Sequence, residues 1–253
     1  MNKQKVKLEL CKKLQSEGIG SLYERVQLVD LMRDWQDKYK FESVLEYPSN
    51  IVKGYDNWVI SDKCSVTVAD EDVFKIKKEW MLGWKPKFKL PKELKNEYDL
   101  VWNFAQVQLN PEIIVEMKKY TRKYVLIFVP NLINIGAPIH VIYHLLSGTK
   151  CNHAERGNKL IRTYWGFKNF VVKNDIEILE SGYFDSPPIP DIAFSINELK
   201  MLLGVGNKKH TQKSSIDVDK FLSKLNSISF MENSLPLFLG HLISHHLYVL
   251  GRI

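Results

Sequence analysis

Between Ser21 and Tyr39 the run SLYERVQLVDLMRDWQDKY sets Leu22, Val26, Val29, Met32 and Trp35 at helical spacing among charged residues, which predicts an amphipathic helix. FESVLEY (41–47) and CSVTVAD (64–70) follow as short apolar, β-branched runs, each closing on an acid, and read as strands. DEDVFKIKKEWM (70–81) reads as a helix with an acidic first turn, capped by Asp70 or Asp72. YDLVWNFAQV (98–107) is a further strand, and NPEIIVEMKKYTRKY then opens a helix with Pro111 at its first position. KYVLIFVPN (123–131) is a buried strand stopped by Pro130 and Asn131.

Strands alternating with helices imply crossover connections and a parallel sheet, for which a Rossmann-like layered domain with right-handed crossovers is the economical solution. Beyond Asn131 the rhythm changes. Helices are expected over 136–148, 157–174 and 217–227, a strand over 175–185, and a proline-stiffened loop over 186–192. GVGNKKHTQKSSID (204–217) is polar and rich in Gly, Lys and Ser, so it reads as a mobile surface loop. HHLYVLGRI (245–253) is a terminal apolar strand, expected to slot into the sheet, with SHH (244–246) as its exposed entrance.

Composition narrows the class. The chain has 253 residues, 45% hydrophobic and 26% charged, which suits a globular domain with a sizeable core. No apolar run approaches the roughly 20 residues of a membrane span, and MNKQKVKLELCKKLQ has no signal-peptide core, so a cytoplasmic protein with no membrane association is expected. Three scattered cysteines, Cys11, Cys64 and Cys151, suggest no disulfide framework. The net charge of +7 is spread along the chain rather than gathered into a stripe, which favours a solvated surface over a nucleic-acid substrate.

Two constellations carry candidate chemistry. His140, His144, Cys151 and His153 form H-x3-H-x6-C-x-H, four nitrogen and sulfur ligands of the kind zinc takes, but in no standard zinc spacing. Pocket or structural histidines are the favoured reading, with no metal expected. His140, Tyr143, His144 and His153 are then pocket candidates, histidine being able to take a proton near neutral pH. GYFDSPPIPD (182–191) puts Tyr183 on a rigid strand exit that could form one wall of a substrate pocket.

Taken in order, these pieces resemble a class I S-adenosylmethionine-dependent methyltransferase of the kind acting on small molecules. The resemblance runs over roughly residues 20–195, with the terminal strand as a further echo. VLE carries Glu46 into the loop YPSNIVKG, VTVAD ends on Asp70, and KLPKELKNEYDLVWNF supplies Leu90, Pro91, Tyr98 and Asp99 around the fourth strand. NPEIIVEMKKYTRKYVLIFVPN then resembles the family's stretch up to the "PN" that closes the fifth strand.

The resemblance implies an α/β Rossmann-like three-layer sandwich with a mostly parallel seven-strand sheet and an antiparallel C-terminal strand. Residues 1–40 would be a helical lead-in. The domain itself would span 41–253, with an insertion around 132–174. It also implies S-adenosylmethionine as cofactor, S-adenosylhomocysteine as product and a small-molecule substrate. The cofactor would lie against Glu46, Pro48, Asn50, Gly54, Asp70, Asn103 and Phe104, with Asp70 on the ribose hydroxyls.

The glycine-rich loop departs from the family pattern, because Pro48 and Asn50 stand where glycines are expected. This keeps a non-catalytic binding protein of the same fold open as an alternative. An RNA methyltransferase stays as a second alternative, although NFAQ stands where nucleic-acid methyltransferases carry an Asn-Pro-Pro-aromatic or Asp-Pro-Pro-aromatic stretch.

Overall fold

The strands are β1 (Ser43–Glu46), β2 (Ser65–Ala69), β3 (Lys87–Lys89), β4 (Tyr98–Phe104), β5 (Thr121–Pro130), β6 (Glu177–Phe184) and β7 (His246–Arg252). They form one sheet in the order β3-β2-β1-β4-β5-β7-β6. β7 runs antiparallel to both neighbours, while the β1–β2, β1–β4, β2–β3 and β4–β5 pairs are parallel. The helices are α1 (Lys3–Lys13), α2 (Ile19–Tyr39), α3 (Tyr55–Trp58), α4 (Ile113–Tyr120), α5 (Tyr164–Lys173) and α6 (Leu237–Ile243). The computed structural model describes residues 1–13, 19–49, 55–71, 86–134, 157–185, 217–223 and 236–253.

Strand alternation divides the core into two layers. Val44, Leu100, Trp102, Phe104, Leu126 and Phe128 face one side and pack with Leu22, Val26, Val29, Met32 and Trp35 of α2 and with Val6 and Leu10 of α1. Leu45, Val101, Val125, Ile127 and Val129 face the other side and pack with Ile114 and Met117 of α4 and Phe167 and Val171 of α5. All seven residues of β4 are buried, as expected for a central strand covered on both faces. The helical spacing read in the sequence thus buries as one stripe, and the expected three-layer sandwich with its antiparallel terminal strand is what forms.

Polar ties fix α2 over the far edge of the sheet. The Glu180 carboxylate on β6 accepts from the Trp35 indole at 2.7 Å, the Tyr39 hydroxyl at 2.8 Å and the Lys38 ammonium at 2.6 Å. The "PN" that closes β5 is equally structural. Asn131 donates its side-chain amide to the carbonyls of His241 (2.6 Å) and Ser244 (2.9 Å), and its backbone N–H to that of His245 (2.7 Å), joining the end of β5 to the approach to β7.

Three sequence expectations are corrected. The helix expected from Pro111 begins at Ile113, because Asn110 to Glu112 form a tight turn in which the Asn110 side chain accepts from the Glu112 N–H at 3.2 Å. The helix expected over 157–174 starts only at Tyr164. Gly157 has φ +100°, residues 159–162 are turns, and the Thr163 hydroxyl caps the helix by accepting from Gly166 N–H at 3.2 Å. A Cβ at Gly166 would lie 2.0 Å from the Leu160 carbonyl oxygen, so that turn depends on glycine. Finally, His245 and His246 are not an exposed entrance, with side chains only 22% and 15% exposed.

The helix expected over 136–148, the proline loop at 186–192 and almost all of 70–81 and 204–217 lie outside the described residues. Residues 218–223 are helical, within the helix expected at 217–227. Among the described residues, no helix is long and apolar enough to cross a membrane.

Candidate functional site

In an open parallel sheet, ligands sit outside the carboxyl ends of the strands where the strand order reverses. Here β1 is followed by β2 on one side, and the chain later returns to place β4 on its other side, so the reversal lies between β1 and β4. The residues that end these strands, Glu46 on β1, Asn103 and Phe104 on β4 and Asp70 just beyond β2, are therefore brought to one edge.

Glu46 is 5% exposed and accepts a hydrogen bond from the side-chain amide of Asn57 on α3. Asn57, itself 1% exposed, accepts from the indole N–H of Trp102 on β4 at 2.9 Å. α3 is pinned by Trp58, which packs into the α1/α2 side of the core. The Trp102–Asn57–Glu46 chain therefore crosses from β4 to the end of β1 without leaving the interior. Asp70 stands half-buried immediately after β2.

The loop after β1 is described through Ser49, and Asn50 and Gly54 lie outside the described residues. Its first residues are held by backbone bonds: Tyr47 N–H donates to Trp102 O at 3.0 Å and Ser49 N–H to Ala69 O at 3.1 Å. The Tyr47–Pro48 peptide is cis, and Pro48 has no N–H. Asn103, fully buried, donates its side-chain amide to the carbonyls of Tyr47 (3.1 Å) and Pro48 (3.2 Å). Its side-chain oxygen accepts from Gln106 N–H at 3.0 Å. Asn103 is thus a brace between the loops that follow β1 and β4, and Pro48 takes part through its carbonyl.

Beside Asn103, Ala105 is held at φ +56°, a conformation that disfavours any residue with a Cβ and that turns the chain sharply off β4. Asp99, at the opposite end of β4, accepts from the backbone N–H groups of Glu42 (2.8 Å) and Ser43 (3.3 Å) and so anchors the start of β1. Burial pushes its carboxyl up, but the Glu42 N–H and the Lys123 ammonium outweigh burial and hold it below the usual carboxylate range.

Phe104 and Tyr183 pack against opposite layers of the core. The Phe104 ring lies in the core, 5.3 Å from Phe128, 6.4 Å from Phe184 and 5.0 Å from His246, with the Arg25 guanidinium 5.8 Å from its centroid. Tyr183 packs on the opposite face, 5.1 Å from the His241 ring. With β4, β5 and β7 intervening, it is about 19 Å from β1 at the usual strand spacing of about 4.8 Å. His140, Tyr143, His144 and His153, and with them the H-x3-H-x6-C-x-H set, lie outside the described residues. Among the described residues, no group of three or more His, Cys, Asp or Glu side chains could hold a metal ion.

Sequence reading missed one cluster at the same edge of the sheet. Asp185, just past β6 with φ +60°, lies 3.3 Å from His245 Nδ1 and 3.7 Å from His246 Nδ1, and its own N–H donates to the Gln27 side chain of α2 at 2.5 Å. Burial raises the Asp185 carboxyl, but the two imidazoles outweigh it and keep it below the ordinary range. His246 stacks on Phe184 at 5.2 Å. The available signal was an acid closing one strand and paired histidines opening the next, which antiparallel pairing brings together.

No protein-family model matches the chain, and neither does any curated protein sequence. Solved structures similar to it include the plantazolicin methyltransferase BpumL in complex with SAH, at 14% identity and TM-score 0.47 over 98% of this chain and 89% of that one. Another is a SAM-dependent methyltransferase from Archaeoglobus fulgidus, at 13% identity and TM-score 0.44 over 89% of this chain and 94% of that one. A third, from Mesorhizobium loti, has 9% identity and TM-score 0.45 over 84% of this chain and 91% of that one. Likeness at this level transfers neither a substrate nor a residue role.

Proposed function

We propose that the chain is an S-adenosylmethionine-dependent methyltransferase acting on a small molecule. One observation carries the reading. The edge between β1, β2 and β4 offers carboxylates, Glu46 and Asp70, while every backbone N–H of residues 47–49 is spent on the protein itself or absent at Pro48. A phosphate-bearing nucleotide wants N–H donors where this strand ends. A nucleoside that carries an ammonium and no phosphate wants acceptors, and the two carboxylates gathered at this edge support that reading.

In this reading Asp70 accepts from the ribose hydroxyls and Glu46 receives the amino group of the methionine portion. Asn103 keeps the loop between them in place. The cofactor supplies an electrophilic methyl on a sulfonium, which the lone pair of an acceptor O, N, S or C takes as the sulfur–methyl bond breaks. The chain contributes orientation and exclusion of water.

The test is a thermal-shift comparison of S-adenosylmethionine and S-adenosylhomocysteine with ATP and NAD. Stabilisation by the first pair alone is expected. Stabilisation by ATP or NAD alone would refute the reading, and a salt-sensitive complex with RNA would move the acceptor to nucleic acid.

A further inference from the structure

Because β7 runs antiparallel to β5, its first residue meets the carboxyl ends of the parallel strands. The register pairs His246 with Pro130 and Tyr248 with Phe128, and Phe128 pairs on its other side with Phe104. His246 therefore stands two residues, about 7 Å, beyond the level of Phe104 toward the edge where the site lies. Its ring is 5.0 Å from that of Phe104 and 5.2 Å from that of Phe184, so the imidazole is held between the ends of β4 and β6.

The two nitrogens of this ring are placed differently. Nδ1 is buried and lies 3.7 Å from the Asp185 carboxylate, which His245 Nδ1 also approaches at 3.3 Å. Asp185, 4% exposed, stays ionised against burial because the two imidazoles oppose its charge. At 3.7 Å the contact is longer than a hydrogen bond, yet only a proton on Nδ1 turns a donor and not a lone pair toward the carboxylate. Nε2 then carries the lone pair. With Nδ1 buried, the 15% exposure of the side chain falls to the rest of the ring, whose far edge carries Nε2. Other charged groups close to this cluster come from α2: the Arg25 guanidinium, 5.8 Å from the Phe104 ring, and the Glu24 carboxylate, 3.5 Å from Arg25.

We propose that His246 takes the proton of the methyl acceptor at Nε2, with Asp185 as the positioning residue that keeps the other proton on Nδ1. This rests on the function proposed above and narrows its substrates. A neutral amine or a thioether has its lone pair ready and needs no base, whereas a hydroxyl or thiol becomes strongly nucleophilic only as its proton leaves. The acceptor is therefore a hydroxyl or a thiol. Its O–H or S–H bond breaks, the electron pair of the oxygen or sulfur forms the bond to the methyl carbon, and the pair of the sulfur–methyl bond stays on the sulfur as S-adenosylhomocysteine. The proton passes to Nε2, and the imidazolium, opposed by Asp185, releases it to water.

The test needs no acceptor. S-adenosylmethionine carries a positive sulfonium and S-adenosylhomocysteine a neutral sulfide. A base placed to deprotonate the attacking group lies about 7 Å from that sulfur, where one charge lowers its pKa by roughly 0.4 unit in bulk water and by more in a partly closed site. Nitrogen-15 NMR of the full-length, histidine-labelled protein reads the pKa and tautomer of His246 in each complex. Its signal is assigned by its loss in His246→Gln or, should that variant fail to fold, by its contacts with the Phe184 ring.

The neutral ring is expected as the Nδ1–H tautomer in both complexes, with a pKa at least about 0.4 unit lower beside S-adenosylmethionine than beside S-adenosylhomocysteine. Asp185→Ala is expected to bring up the Nε2–H form, a change that loss of mere packing would not produce. A smaller or opposite pKa difference, a native ring that is mainly Nε2–H, or an Asp185→Ala protein that keeps the Nδ1–H form would overturn the proposal while leaving the proposed function standing. A native protein that binds neither ligand would remove the proposed function, and the base with it.

Discussion

The side-chain amide of Asn103 donates to the carbonyl of Pro48 at 3.2 Å and, with the same nitrogen, to that of Tyr47 at 3.1 Å. One buried residue at the end of β4 therefore sets the path of the loop that leaves β1. Replacing it by alanine strands two carbonyls and the Gln106 N–H and is expected to cost about 2–3 kcal/mol of stability. Asn103→Asp should cost more than alanine, because it turns acceptor against acceptor in a fully buried site. Urea denaturation of the two variants gives the order, and an aspartate variant as stable as the native chain would refute the brace.

Asp99 makes the start of β1 sensitive to acid. Its carboxyl is held below the ordinary value in the folded protein, so the stability it contributes is fully present above the unfolded value of about 4 and is lost as pH falls through the folded value. Asp99→Asn should be less stable than the native protein at neutral pH, and the gap should narrow as the solution is acidified below about pH 4. Parallel denaturation curves across that range measure it. A gap that stays constant would contradict this assignment.

Ala105, at φ +56°, holds a backbone conformation that costs a Cβ-bearing residue about 1–2 kcal/mol. Glycine would remove that strain while adding unfolded-state entropy, so Ala105→Gly is expected to raise stability by roughly 0.5–1 kcal/mol. A shift in thermal midpoint reads it directly, and a lower midpoint would show that the turn is not strained.

The parts of this molecule legible in its sequence are those specified by local pattern. The α2 stripe from Leu22 to Trp35, the buried run of β5 and the acids that close β1 and β2 all lie where periodicity and strand ends put them. Roles that depend on distant partners were not legible. Asp99 reads as the second half of an aromatic-Asp pair, yet its work is to hold the N–H of Glu42, 57 residues away. Asn103 and Phe104 are adjacent at the end of one strand, and alternation sends one to brace a loop and the other into the core. His245 and His246 read as an exposed end because Asp185, the charge that draws them in, belongs to the strand paired with theirs and not to their own segment.

The central claim is that Asp70 and Glu46 mark a site for a methionine-bearing nucleoside. Calorimetric titration of S-adenosylhomocysteine into the native protein and into Asp70→Ala tests it most directly. Saturable binding by the native chain is predicted, weakened at least about 30-fold in the variant, since losing a charged acceptor for the ribose hydroxyls removes about 2 kcal/mol or more. Native protein that gives no heat with millimolar ligand, or an Asp70→Ala variant that binds as tightly as the native chain, would contradict it.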